Sequence, residues 1–204
     1  QNYDFLENTI FKVSQICRSG FSIPYFDGSL SISRASRCFP QYLVFKPAML
    51  FTALLLYFYW RNNNQLINKY KHTNINYKFK TFGILSAVFL AIHSIFLGIK
   101  FDIQIYKLMR RVVLLLFIIF EIIAQGILVY HLFKIKAQIV EFINKNVLVL
   151  KILLVTILAA VAILSVPLLV TKGNTHFKHA LEWNYFVGVI LFYLFSRFFW
   201  RRTT

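Results

Sequence analysis

Apolar residues gather along this chain into five long runs, at positions 43–60, 81–99, 112–133, 147–170 and 181–200, divided by short polar stretches. A helix needs roughly 20 mostly apolar residues to cross about 30 Å of hydrocarbon at 1.5 Å per residue, and each run approaches that length. None shows the polar alternation over about ten residues that marks a membrane barrel strand. The pattern predicts an all-α fold, a polytopic transmembrane bundle of five spans over residues 43–204, preceded by an extracytoplasmic segment at 1–42. The stretches between runs leave no room for a soluble domain. Trp60, Trp183, Trp200, Tyr42, Tyr57 and Tyr59 fall near run ends, where amphipathic rings prefer the headgroup level.

Composition agrees. The 204 residues are 58% hydrophobic and 15% charged, against about 45–50% and about 25% in soluble domains. This excludes an ordinary cytosolic enzyme, a disordered tail and a disulfide-dense secreted scaffold. The 23 Lys and Arg against 7 Asp and Glu give a net charge of +16. In a soluble protein such a balance points to nucleic acid, but here the aromatics lie inside uncharged runs rather than beside the basic residues. The basic residues lie between the runs, within reach of lipid phosphates, so membrane lipids are the expected partners and nucleic acid is not.

Orientation follows only weakly from charge. With residues 1–42 outside, twelve Lys and Arg fall on the cytoplasmic side and eleven on the other. The connector 61–80 and the Arg201-Arg202 tail favour a non-cytosolic N-terminus and a cytosolic C-terminus. The turn-rich stretch 21–41, with Pro24, Asp27-Gly28 and Pro40, reads as an ordered external loop. Cys17 and Cys38 both fall in the N-terminal segment. Bridged, they would close a loop of about twenty residues and add roughly 3 kcal/mol; the alternative is two unrelated free thiols. The chain starts at Gln1 and residues 2–22 are too polar to span, so a first hydrophobic segment, either a cleaved signal or a sixth helix, is expected to be missing from this sequence.

Glu121 lies about nine residues into the third run, near the bilayer midplane, where an unpaired carboxylate costs at least about 2.5 kcal/mol. His93 is its expected partner. It lies roughly 18 Å from the cytoplasmic end of the second span, and Glu121 roughly 14 Å from the outer end of the third, so their depths agree within a helical turn. The pair, with Gln125 beside it, is either a structural hydrogen bond between helices or a proton or headgroup site. His176, His179 and Glu182 recur at three-residue steps around the start of the last span, too weak a pattern to assign a metal. Together with Arg110 and Arg111 at the outer end of the third span they could form a collar facing lipid phosphate, which guanidinium binds bidentately, or act as interfacial anchors. Lys46, Lys151 and Arg197 lie close to span ends, where they can snorkel, and no chemistry is assigned to them.

The run Ile-Pro-Tyr-Phe-Asp-Gly-Ser-Leu-Ser-Ile-Ser-Arg at 23–34, followed by Phe-Pro-Gln-Tyr at 39–42, resembles the loop after the first helix in the Frag/DRAM/Sfk family. His179-Ala-Leu-Glu182-Trp183 is similar to the Glu-Trp or Glu-Tyr that opens that family's last helix. The family includes a Golgi factor acting after GPI attachment and the damage-regulated autophagy modulators, generally with six helices. The resemblance implies lipid handling in Golgi, ER or lysosomal membranes: GPI-anchor remodelling, or regulation of lipid composition and autophagy. It carries over Pro24, Tyr25, Ser31, Ser33, Arg34, Pro40, Gln41, Glu182 and Trp183, as packing or substrate-contact residues. The expected lipid site comprises Ser31, Ser33, Arg34, Arg110, Arg111, His179 and Glu182. A non-catalytic accessory subunit packed among other membrane proteins is the alternative. No nucleophile, base and orienter stand together, so catalysis is not the favoured reading, and no metal or cofactor is implied.

Overall fold

The computed structural model describes residues 23–36, 41–72, 75–97, 104–170 and 173–200. Two short helices, α1 (Pro24–Asp27) and α2 (Ile32–Ala35), precede five long ones. These are α3 (Gln41–Lys71), α4 (Lys78–Phe96), α5 (Gln104–Lys134), α6 (Lys145–Val170) and α7 (Thr175–Phe199). Among the described residues there is no strand, only an isolated bridge between Ile143 and Trp200. Cys17, Cys38, Pro40, Arg201 and Arg202 lie outside the described residues, so the bridge expected between the two cysteines is outside them too.

Four helices are long and apolar enough to cross a membrane: Leu43–Lys71, Lys78–Phe96, Leu108–Lys134 and Lys145–Ser165. The chain is therefore a multi-pass membrane protein. The fifth long helix, α7, is less apolar because Glu182, Asn184, Ser196 and Arg197 interrupt it. Side-chain exposure fits a lipid surround. Phe51, Leu54, Leu55 and Phe58 form an i, i+3, i+4, i+7 stripe on α3 that in a soluble protein would be core, yet they are the exposed side of the helix. Ala53, Leu56 and Trp60 face inward instead.

The α3 helix runs eleven residues beyond the expected end of its span at Trp60. Its Asn-rich continuation looks like a connector by composition, but the amides close the turn into α4. The Asn64 carboxamide oxygen accepts from the Tyr77 amide at 3.0 Å, and Asn68 both donates to the Ile75 carbonyl and accepts from its amide. Trp60 and Tyr59, expected at the headgroup level, are consequently mid-helix. Trp60 is fully buried, tilted against Phe79 and edge-on to Tyr59. The α5 helix likewise starts at Gln104, eight residues ahead of its expected span.

Successive long helices pack against one another in an up-and-down order, α4 most extensively against α5. Phe120 of α5 fits between Phe82 and Phe89, two turns apart on α4. At the end of the bundle opposite α1, Tyr70 stacks on Trp200, and Ile135, Ile139 and Ile143 of the α5–α6 connector are buried. Gly83 lets α4 approach α3, since a Cβ there would run into the Trp60 indole. Gly83→Val should destabilise the bundle by about 1–3 kcal/mol, read as a lower melting temperature in detergent, and the added change Trp60→Phe should recover part of the loss. An unchanged melting temperature for Gly83→Val would contradict this packing.

Candidate functional site: a docked flap, a cationic end and a buried polar core

The segment 23–36 folds into a flap on the N-terminal turns of α7. Pro24 opens α1 with its φ already suited to a first turn, and Gly28 closes it in the left-handed region at φ 57°. Glycine is required there on a second count, because a Cβ would run into the His176 backbone. The Asp27 carboxylate accepts from the Ser29 amide at 2.8 Å and the Ile23 amide at 2.9 Å, which fixes the turn. The Ser29 amide above all holds that carboxyl below its ordinary range. Ser31 caps α2 by accepting from the Arg34 amide at 3.3 Å.

The α7 side supplies polar anchors at helical spacing. His176 Nδ1 meets the Asp27 carbonyl at 3.2 Å and His179 Nδ1 the Gly28 carbonyl at 2.9 Å. Trp183 Nε1 donates to the Leu30 carbonyl at 2.8 Å, Asn184 donates to the Tyr25 carbonyl at 2.9 Å, and Tyr25 lies edge-on to Trp183. The Ile32 backbone faces the Glu182 carboxyl. The two segments that carry the family resemblance meet through contacts that span 149–159 residues of chain. Of the expected lipid-facing set, Ser31 and His179 serve to shape and dock the flap. Ser31 Oγ meets both the Arg34 amide and Ser33 Oγ, and His179 Nδ1 meets the Gly28 carbonyl. Among the described residues no three His, Cys, Asp or Glu side chains are grouped to hold a metal.

At the same end of the bundle as the flap, three basic side chains from three helices lie near one another. The field of Arg110 reaches both Lys46 and His93, and the Arg110 backbone faces the His93 ring. Lys46 is 4% exposed and its Nζ donates to the Ile95 carbonyl. It does not snorkel. Arg110 stacks its guanidinium over Tyr106, whose hydroxyl donates to the Phe96 carbonyl. Arg110 Nε and His93 Nδ1 are buried without a hydrogen-bond partner. The side chain of Arg111 lies outside the described residues.

Deeper in the bundle, Glu121 is fully buried. Ser86 Oγ donates to its Oε2 at 2.6 Å, Gln125 Nε2 to its Oε1 at 2.9 Å, and the Tyr193 hydroxyl to the same Oε1. The expected partner His93 is not among them. His93 lies seven residues beyond Ser86 on the same face of α4, about 10 Å further along the axis, beside Arg110 rather than Glu121. The discrepancy arises because α5 starts early: measured along the real helix, Glu121 is far deeper from the flap end than its span boundary suggested. Lys151, also close to a span end, is 1% exposed. Its Nζ donates to Ser196 Oγ at 2.7 Å and sits 4.1 Å from the Phe192 ring centroid. Tyr59 shares a 2.9 Å hydrogen bond with the same Ser196 and lies edge-on to Tyr193, bringing the two polar clusters into contact. Ser86, Tyr193, Tyr59 and Ser196 carried no distinguishing signal in the sequence beyond helical spacing, since hydroxyls and tyrosines are common in spans.

Helix rise sets the levels of these groups. The α5 and α7 helices run in the same direction, and Arg110 and Glu182 each lie eleven residues, about 16 Å, before the Glu121–Tyr193 contact. The cationic cluster and the docked flap therefore share one end of the bundle.

Burial pushes the His179 imidazole below its ordinary value, the Gly28 carbonyl opposing it and the Arg34 charge adding to it. The neutral ring is the one that docks. The flap should hold fully above the free-histidine value of about 6.5 and loosen as pH falls through the lowered value beneath it. Trp183 fluorescence should shift to the red on acidification, and His179→Gln should abolish the pH dependence. A wild-type spectrum constant down to pH values where carboxylates titrate would contradict it. The chain matches no family model, no curated protein sequence and no solved structure.

Proposed function

We propose that this membrane protein handles lipids, binding or helping to remodel an anionic phospholipid or GPI headgroup at the non-cytosolic leaflet. The reading rests above all on one observation: Arg110 and His93 each keep a buried nitrogen without a partner beside Lys46, at the flap end of the bundle. Buried polar atoms ordinarily find hydrogen bonds, and Arg110 and Lys46, beside the His93 ring, repel one another until an anion joins them. A phosphate monoester or diester supplies acceptor oxygens for guanidinium and imidazole together. Its acyl chains would lie along the exposed stripe of Phe51, Leu54, Leu55 and Phe58.

In this arrangement α7 is a fifth span, the flap is non-cytosolic and the C-terminus cytosolic. The flap's likeness to the loop of the Frag/DRAM/Sfk family favours an endomembrane location, and its docking on α7 holds Tyr25 against Trp183 at that end of the bundle. The site binds and orients a ligand, and among the described residues it holds no nucleophile paired with a base.

Purified protein should retain anionic phospholipid in native mass spectrometry. Arg110→Ala, with or without His93→Ala, should weaken that retention about tenfold or more, as loss of a charge-assisted hydrogen bond worth about 1.5–3 kcal/mol requires. Equal retention by the variants would overturn the reading. Unaltered lipids in cells lacking the protein, beside loss of a membrane complex, would favour an accessory subunit instead.

A further inference from the structure

The core polar cluster is separate from the proposed headgroup site and poses a problem of its own. Glu121 and Lys151 are both buried, and neither has an oppositely charged partner among the described residues. All contacts of Glu121 are with neutral groups, Ser86, Gln125 and Tyr193. Tyr185 of α7 also faces it, with a hydroxyl that is buried and makes no hydrogen bond. Lys151 touches Ser196 and the faces of Phe192 and Phe199. Two unpaired charges in a dry bundle are strongly disfavoured.

Proton bookkeeping shows how the cluster avoids them. The Ser86 hydroxyl has a single proton, yet Oγ lies 2.8 Å from the Gly83 carbonyl and 2.6 Å from Glu121 Oε2, both acceptors when the carboxyl is ionised. Only one can be served. If Glu121 carries a proton on Oε2, it donates to Ser86, Ser86 donates to Gly83, and Oε1 still accepts from Gln125 and Tyr193. Every contact is then a hydrogen bond. At the other end Ser196 Oγ lies 3.1 Å from the Phe192 carbonyl as donor and meets both Lys151 and Tyr59. A neutral amine keeps the bond to Ser196, since it still has N–H groups to give.

We propose that Glu121 and Lys151 share one proton, resting as a carboxylic acid and a neutral amine, and that the side chains between them form an intramembrane proton-transfer unit. For the return step the carboxyl group carries its proton on Oε1, and the Tyr193, Tyr59 and Ser196 hydroxyls turn to point at Tyr59, Ser196 and the Lys151 lone pair. The Glu121 O–H then breaks and its proton passes to the Tyr193 oxygen. Tyr193 passes its own proton to Tyr59, Tyr59 to Ser196, and Ser196 to Lys151 Nζ, where an N–H forms. Net charge is unchanged throughout. The step from Tyr193 to Tyr59 has no direct hydrogen bond; the rings meet edge-on with centroids 4.9 Å apart, so a hydroxyl must swing. The unit draws on α3, α4, α5, α6 and α7, so a change in the relative placement of any of them alters the proton's position.

Infrared spectroscopy of the full chain in lipid tests this. At neutral pH the wild type should show a carboxylic-acid carbonyl stretch that Glu121→Gln removes. Lys151→Arg installs a cation that cannot be discharged, which should draw Glu121 into its carboxylate form and abolish the same band. Absence of a Glu121-dependent band, or its persistence in folded Lys151→Arg, overturns the proposal. Should that variant fail to fold, the side-chain nitrogen resonance of Lys151 in isotopically labelled wild type decides: an amine signal supports the shared proton, and an ammonium signal overturns it.

Discussion

The burial of one carboxyl group organises the bundle. Glu121 can stay in a hydrocarbon-like interior only if its oxygens are occupied, and the groups that occupy them come from α4, from its own helix and from α7. In lipid, apolar surfaces offer little net attraction between helices, so association depends on close packing and on hydrogen bonds that average about 0.6 kcal/mol each. A carboxyl satisfied from two neighbours fixes their register more tightly than any apolar contact, because sliding either helix by a turn leaves a buried oxygen bare. Gly83, one turn from Ser86, brings α4 close to α3 at the same level.

From that level the rest follows by helix rise. Two turns along α4 from Ser86 stands His93, and about 16 Å along α5 from Glu121 stands Arg110. Their basic groups therefore meet Lys46 at the end where α7 begins, and there α7 spends its polar first turns on the backbone carbonyls of the flap. The flap offers carbonyls because α1 and α2 are each a single turn, too short to satisfy their own backbone, and His176, His179, Trp183 and Asn184 are spaced to receive them. The same division explains the chemistry available at each depth. At the flap end, Arg110 and His93 keep buried nitrogens without a hydrogen-bond partner, whereas in the core hydroxyls link one acid and one base.

Much was legible from the chain alone. Uncharged runs of adequate length fix helices and a membrane setting, because no other structure satisfies the backbone in hydrocarbon. The isolated glutamate in the third run marked a buried polar site, Gln125 one turn away marked its neighbour, and the turn residues of 23–34 marked an ordered loop. What composition could not give was where a helix stops. The Asn-rich stretch after Trp60 reads as a connector, yet its amides satisfy a turn eleven residues further on, and that extension moves Tyr59 and Trp60 from an assumed interface into the core.

Partner choice also lay beyond the sequence, for a geometric reason. Ser86 and His93 occupy the same face of α4, so spacing alone admits either beside Glu121, and histidine is chemically the more conspicuous. Only the antiparallel register of α4 and α5 selects the serine. Lys151 and Lys46 show the same limit: a lysine near a span end can reach for water or turn inward, and the intrahelical pattern is identical for both. The choice was made by Ser196 and two phenylalanine faces on α7 in one case, and by the end of α4 in the other. The order of helices and their membrane setting are therefore properties of the amino-acid pattern, whereas the pairing of polar groups is a property of tertiary packing, because it depends on distances between helices that no single helix encodes.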